Sequence, residues 1–162
     1  MIMRTVLIGL ALALAASSAS ARADSPTDSA FVQKAQADLL GQYALAVLAK
    51  KRAAMPAVRD LAAEVAANAS SASRFLDKYA KAHGITLSNK PGFRADAQYG
   101  EMTLLKGTAF DERFAQDLYT DTQLQGDDFD PSGTGDPALK RFAQHETVAL
   151  SKISEKAKKL GG

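Results

Sequence analysis

The chain has 162 residues, of which 46% are hydrophobic and 23% are charged, a composition typical of a folded globular protein. It has no cysteine, which excludes disulfides, thiolate metal sites and a lipid-modified cysteine. The formal net charge is only +2 and there is no tryptophan, so the sequence gives no electrostatic sign of nucleic-acid binding.

The first residues have the pattern of a signal peptide. Arg4 supplies the positive charge, an apolar run follows over 6–16, and Ala21–Ala23 has the small-x-small pattern of a cleavage site. The apolar run is shorter than the roughly 20 residues that span a bilayer. We therefore expect cleavage after Ala23, a periplasmic or secreted product, and a single domain over 24–162 with no stable membrane span.

Removal of the signal peptide would change the charge balance. Two of the 20 basic residues, Arg4 and Arg22, lie in that segment, so 18 basic residues remain against 18 acidic ones. The mature chain is therefore expected to be formally neutral. This weakens the case for a nucleic-acid partner and leaves an unidentified protein or a cell-envelope component as the expected partner.

Two long helices are predicted next. Apolar residues recur at helical spacing over 28–52 and again over 56–83. Candidate caps at 27–29 open the first helix, Pro56 suits the first position of the second, and Gly84 suits its end. Because only a short turn joins the two helices, we expect them to pack antiparallel.

A loop over 85–94 separates these helices from the rest of the chain, since proline and glycine interrupt it. A short helix is predicted over about 95–106. Thr108 then caps the third main helix, with Asp111 three residues later in a capping-box-like arrangement, and this helix ends near Gly126.

The fourth main helix is predicted to begin at Asp136 as the cap and Pro137 as the first helical residue. The chain shows no strand-like alternation and no internal repeat. The sequence therefore predicts an all-α fold, an antiparallel four-helix bundle with a short extra helix before its third helix.

Eight small residues, AANASSAS at 66–73, interrupt the bulky side chains of the second helix. Small side chains let a neighbouring helix approach closely, and they also leave room for an apolar ligand. Both interpretations stay open, and close packing is the favoured one.

The loop before the last helix has the pattern of the front of a calcium-binding loop. Asp128, Asp130 and Ser132 occupy positions 1, 3 and 5, a glycine follows at position 6, and Asp136 occupies position 9. Position 12, which should be a bidentate glutamate, is Leu139. An ordinary acidic loop is therefore the favoured interpretation and calcium is the alternative; no other cofactor is predicted.

His145 and Glu146 invite an acid–base interpretation. General acid–base catalysis needs a second positioned group, and the sequence offers no nucleophile motif such as Gly-x-Ser-x-Gly. Glu146 is one of five glutamates that lie mostly at polar-face spacing, and we interpret His145 as a solvated or partly buried helix histidine. No catalytic residue is predicted.

The packing pattern is similar to that of a bacterial family, the "domain of unknown function" numbered 4142, whose members are exported, ferritin-like four-helix bundles. The resemblance covers about 30–160 and implies a ferritin-like arrangement for this chain. The pattern consists of Phe31-x3-Ala35, Leu48-Ala49, Val58-x3-Ala62, Phe110-Asp111 and Phe142-Ala143.

Many members of that family carry polar residues at inward positions that look like metal ligands, and this sequence departs from the pattern at each position. A di-metal centre also needs Glu-x-x-His pairs, and none occurs here. We therefore expect a non-catalytic binding or interaction module, with a metal- or small-ligand-binding ferritin-like protein as the alternative. The residues at the family's ligand positions are Gln42 for a Glu, Asn68-Ala69 for an Asp-His pair, Thr122 for a His, and Ile153 for a second His, with Val148 where a proline would be.

Overall fold

The computed structural model describes residues 26–161. Within this range there is no strand, so the predicted all-α class is confirmed. The predicted signal peptide at 1–23 lies outside the described residues. The elements in chain order are α1 (Pro26–Arg52), α2 (Pro56–His83), α3 (Phe93–Leu104), α4 (Gly107–Asp128), a 3-10 turn (Pro131–Gly133) and α5 (Pro137–Gly161).

The helices pack in pairs. α1 packs along α2 and α4 packs along α5, while smaller contacts join α1 to α4 and α2 to α5. Their buried side chains form two hydrophobic clusters. Leu45 and Phe114 belong to the first cluster, and Leu39 and Phe142 belong to the second. Burial of these apolar faces is the main source of stability, since each fully buried side chain of this size contributes about 1.5–3 kcal/mol.

α3 lies against the outside of α1. The two helices cross closely at Gly41, where an added Cβ would overlap the Cβ of Ala95. Arg52 fixes the far end of α3, because its guanidinium donates hydrogen bonds to the carbonyl oxygens of Thr103 (2.8 Å) and Leu105 (3.0 Å). A glycine in α1 and an arginine at its end therefore hold the short helix in place.

Several predicted helix ends are confirmed. α2 begins at Pro56 and ends before Gly84, whose φ of +70° is a conformation that favours glycine. α5 begins at Pro137, and the Asp136 carboxylate accepts hydrogen bonds from the N–H groups of Ala138 (2.7 Å) and Leu139 (3.0 Å). The backbone requirements of proline, glycine and capping aspartate are local, which is why the sequence alone located these ends.

α1 begins at Pro26, two residues before the predicted start. Asp28, a candidate cap in the sequence, lies inside the first turn and is only 6% exposed. Its carboxylate accepts hydrogen bonds from the Thr134 hydroxyl and from the Gly135 N–H, the latter at 2.8 Å. Asp28 therefore ties α1 to the loop that precedes α5.

The predicted capping box at Thr108 and Asp111 is wrong. α4 begins at Gly107 and has no side-chain cap. Asp111 is 1% exposed, and its carboxylate accepts hydrogen bonds from the N–H groups of Ala54 (3.0 Å) and Met55 (2.6 Å). This carboxylate therefore holds the turn between α1 and α2, a tertiary role that local spacing does not reveal.

α4 continues past Gly126 to Asp128, so the predicted loop is shorter than expected. In the described part of the chain, no helix is long and apolar enough to cross a membrane.

Candidate ligand-binding groove

A groove of about 290 Å³ runs along the surface between α2 and α5. It lies beside the small-residue stretch at 66–73. Ala66, Ala69 and Ala72 of that stretch are buried, so part of it packs closely as expected, while Ser71 and Ala72 also line the groove. The complete lining is Ser71, Ala72, Phe75, Ala138, Arg141, Phe142, His145 and Glu146.

Two aromatic rings give the groove an apolar surface. Phe75 of α2 and Phe142 of α5 stack with their centroids 4.8 Å apart and their planes 6° from parallel. Phe142 is fixed from behind by edge contacts with Phe31 and a tilted contact with Phe129. Phe75 is 36% exposed, so an immobilised aromatic surface remains open to solvent here.

Charged groups lie at one end of the groove. Glu146 is only 2% exposed; its Oε2 accepts a hydrogen bond from Asn68 Nδ2 at 2.9 Å, and its Oε1 lies 3.2 Å from His145 Nδ1. Arg141 is exposed, and no hydrogen bond or ion pair joins it to any residue of the described chain. The groove therefore combines an exposed guanidinium that has no partner in the described chain with a buried carboxylate whose two oxygens have partners.

The hydroxyl of Ser71 lines the same groove as His145, but no hydrogen bond between these two side chains occurs in the described structure. An activated serine requires a base within hydrogen-bond reach.

Glu146 belongs to a polar layer that crosses the middle of the core, which we define as Gln42, Asn68, Thr122, Gln125 and Glu146. On α1, α2 and α4 the layer lies between the two hydrophobic clusters. Gln42 donates a hydrogen bond to Gln125. Glu146 bonds to Asn68. Buried polar groups are costly unless they are bonded, and these two pairs limit the cost, whereas the buried Oε1 of Gln42 has no hydrogen-bond partner in the described structure.

A family model described as "Domain of unknown function (DUF4142)" matches residues 13–160. The chain belongs to this family. Neither the curated proteins nor the solved structures include a match to it. The family description names no activity, so the function of this DUF4142 protein has to be inferred from its site.

The residues at the family's ligand-like positions lie in different environments. Gln42, Asn68 and Thr122 all lie in the polar layer, whereas Ile153 is buried in the first hydrophobic cluster and Val148 is 56% exposed. Within the described residues of this DUF4142 chain, no group of three or more His, Asp or Glu side chains is arranged to hold a metal ion.

Glu146 is a groove residue whose burial the sequence analysis missed. The expectation that the glutamates lie mostly on polar faces fails at this residue, which is 2% exposed. The signal was present, because Leu139, Phe142, Glu146 and Leu150 follow the three-and-four spacing of one helix face. A single glutamate within an apolar stripe indicates a buried charge with a partner, and here that partner is Asn68.

The three aspartates of the calcium-loop pattern each bond to a different group in the structure. Asp128 ends α4 and forms an ion pair with Lys34. Asp130 accepts a hydrogen bond from the Ser132 N–H at 2.8 Å, which holds the pKa of that carboxyl below its usual value. Asp136 caps α5. Calcium binding at this loop stays a prediction. A calcium ion would compete for these carboxylates with the Lys34 ammonium and with the backbone N–H groups that now donate to them.

A second polar cavity, of about 60 Å³, lies beneath α3. Asp121 of α4 accepts hydrogen bonds there from Arg94 and Gln98 of α3, at 2.9 and 3.0 Å. Burial raises the pKa of Asp121, and burial also raises the pKa of Asp38 on α1. These contacts hold α3 on the other helices, and the small volume suits ordered water.

Proposed function

We propose that this protein is an exported, non-catalytic ligand-binding module whose ligand is a small molecule held in the α2–α5 groove. The observation that carries the proposal is the groove itself, because it combines a volume of about 290 Å³ with the stacked rings of Phe75 and Phe142. Ligand sites in proteins are concave and mostly apolar, with a few polar groups that fix orientation. Arg141 and His145 supply such groups.

We further propose that α1, α2, α4 and α5 form an antiparallel four-helix bundle of the ferritin-like type, with α3 as an extra helix. Support comes from the pairwise packing of α1 with α2 and of α4 with α5, and from the three-residue connection at 53–55. A crystal structure with either pair parallel would contradict this arrangement.

The metal-binding alternative has less support. The core position that would need several anionic oxygens offers the amides of Gln42 and Asn68 and the single carboxylate of Glu146, whose two oxygens already have partners. Stoichiometric iron, manganese or zinc in the native protein, measured by mass spectrometry, would favour this alternative over our proposal.

The groove is tested by filling it. Ser71→Tyr places a ring in the groove, and Ser151→Tyr, an exposed position on α5 outside the groove, is the matched control. With a neutral naphthalene-type fluorescent probe, we expect the first variant to weaken binding by roughly tenfold or more and the control to bind as the wild type does. Absence of probe binding, or equal binding by all three proteins, would contradict the proposed site.

Export is tested on the protein made in its natural host type. We expect the periplasmic fraction to contain a chain that begins at Asp24, as identified by intact-mass and N-terminal peptide measurements. A chain retaining residues 1–23 in the cytoplasmic fraction would contradict export.

A further inference from the structure

We propose that the ligand of the α2–α5 groove is a small organic acid in which a carboxylate is joined to a flat apolar ring system. This inference rests on the proposed function of the groove and adds the chemical class of its ligand.

The apolar part of the ligand follows from the aromatic surface. Phe75 stacks closely on Phe142 and less closely on Tyr79, at a centroid distance of 6.4 Å, and 36% of its surface stays exposed, so a further flat ring can contact this exposed part. Ala72 and Ala138 add small apolar walls. An apolar cavity of about 150 Å³ accommodates benzene, so a groove of about 290 Å³ has room for one or two fused rings.

The acidic part follows from the charges at the groove. Both oxygens of Glu146 already have polar partners, Asn68 and His145, and this carboxylate is only 2% exposed. Arg141 has no such partner within the described chain. A guanidinium offers two parallel N–H donors that match the two oxygens of a carboxylate, whereas an ammonium group has no such paired geometry. The exposed charged group of the groove that lacks a partner in the described chain is therefore the Arg141 guanidinium, which is suited to a carboxylate.

The geometry disfavours two other classes of ligand. An amine would need Glu146, but this carboxylate is 2% exposed and fully engaged. A helical peptide is held by anchors spaced over about two of its turns, whereas the lining on α2 covers only 71–75, about 6–8 Å of helix, against 138–146 on α5.

Three naphthalene compounds with the same rings test the class: 2-naphthoate, 2-naphthylmethanol and 2-naphthylmethylamine, titrated calorimetrically into the purified protein. We expect the carboxylate to bind roughly tenfold more tightly than the alcohol, and the amine to bind most weakly. Binding of the alcohol or the amine at least as tightly as the acid would overturn the ligand class and leave the groove function standing. Absence of binding by all three would overturn the groove function as well.

A matched pair of variants tests the role of Arg141. Arg141→Gln and Lys140→Gln remove the same charge from neighbouring exposed positions of α5, and only Arg141 lines the groove. We expect Arg141→Gln to bind 2-naphthoate no more tightly than 2-naphthylmethanol, and Lys140→Gln to bind the acid more tightly than the alcohol, as the wild type does. If Arg141→Gln still binds the acid more tightly, or if both variants lose this difference equally, the proposal is contradicted.

A second matched pair of variants tests the ring contact. Phe75→Ala removes the stacked surface, and Phe93→Ala makes the same change at a side chain that is 90% exposed and outside the groove. We expect only Phe75→Ala to weaken binding of both the acid and the alcohol, by roughly tenfold. Equal weakening by the two variants, or none by Phe75→Ala, would contradict stacking at this site.

Discussion

Buried carboxylates lie at both ends of the molecule and in its middle, and their partners differ. At the ends, Asp111 accepts from two backbone N–H groups and Asp28 accepts from the Gly135 N–H and the Thr134 hydroxyl. In the middle, Glu146 bonds to the side chains of Asn68 and His145.

This difference separates carboxylates that hold the backbone from a carboxylate that is held only by side chains. A backbone N–H has a fixed direction and cannot be moved without moving the chain, so the end carboxylates determine the path of the two connections they hold. Side-chain partners can rotate, and they can be replaced with little change in the backbone. Only the middle carboxylate lies beside an open groove, where its neighbours Arg141 and His145 reach solvent.

The largest expected effect is at Asp111. Asp111→Asn replaces one accepting oxygen by an amide group, which would face the Ala54 or Met55 N–H, and a hydrogen bond to a charged group contributes about 1.5–3 kcal/mol. We expect the free energy of unfolding, measured with urea, to fall by about 3 kcal/mol. Glu112→Gln, at the exposed neighbouring position, is the control. If Asp111→Asn lowers the free energy of unfolding by less than about 1 kcal/mol, the carboxylates at the ends are no more important for stability than Glu146 in the middle.

Asp28→Asn should have the second-largest effect, about 2 kcal/mol, since one of its principal donors is a hydroxyl that can reorient. Exposed Asp127→Asn is the matched control, measured in the same urea experiment. If Asp28→Asn behaves as the control does, the loop before α5 is held by other contacts.

Glu146→Gln should cost less, about 1 kcal/mol, because the Asn68 amide and the His145 ring can both adapt to an amide partner. Glu155→Gln, exposed on the same helix, is the control. A loss as large as that of Asp111→Asn would show that the polar layer is needed for the fold as much as the ends are.

Asp121, beneath α3, provides a test by pH. Burial raises its pKa above the ordinary 3.8, so the folded protein binds this proton more readily than the unfolded chain does. The ionised carboxylate therefore costs stability above its folded-state pKa, and the cost disappears as the pH falls toward 3.8. Relative to Asp121→Asn, we expect the wild type to gain stability over this acidic range in thermal unfolding. A stability difference between the wild type and Asp121→Asn that stays constant, or that moves against the wild type as the pH falls, would contradict the burial of this group. Asp38→Asn should change relative to the wild type in the same direction.

The parts of the fold that sequence predicted well depend on local chemistry. The boundaries of α2 and the start of α5 follow from Pro56, Gly84, Asp136 and Pro137, whose preferences act within one turn. The errors involve contacts distant in sequence. Asp111 has capping-box spacing, yet its carboxylate binds a turn more than 50 residues earlier, and no local pattern encodes that preference.

The candidate site was predictable only in part. The run of small residues at 66–73 left close packing and space for a ligand as alternatives; Ala66, Ala69 and Ala72 are buried, and Ser71 and Ala72 also line the surface groove. The pairing of Phe75 with Phe142 was not predictable, because it depends on how α2 and α5 are aligned across the molecule. Arg141 carries no motif of its own and becomes notable only when the groove beside it is seen.

The central claim, that the α2–α5 groove is the ligand site, is tested most directly by an NMR titration of the ¹⁵N-labelled protein with 2-naphthoate. The account predicts saturable shifts concentrated at the backbone amides of 71–75 and 141–146, with the amides of α3 unchanged. Shifts centred on the cavity between α3 and Asp121, or no saturable shifts at concentrations up to the millimolar range, would contradict it.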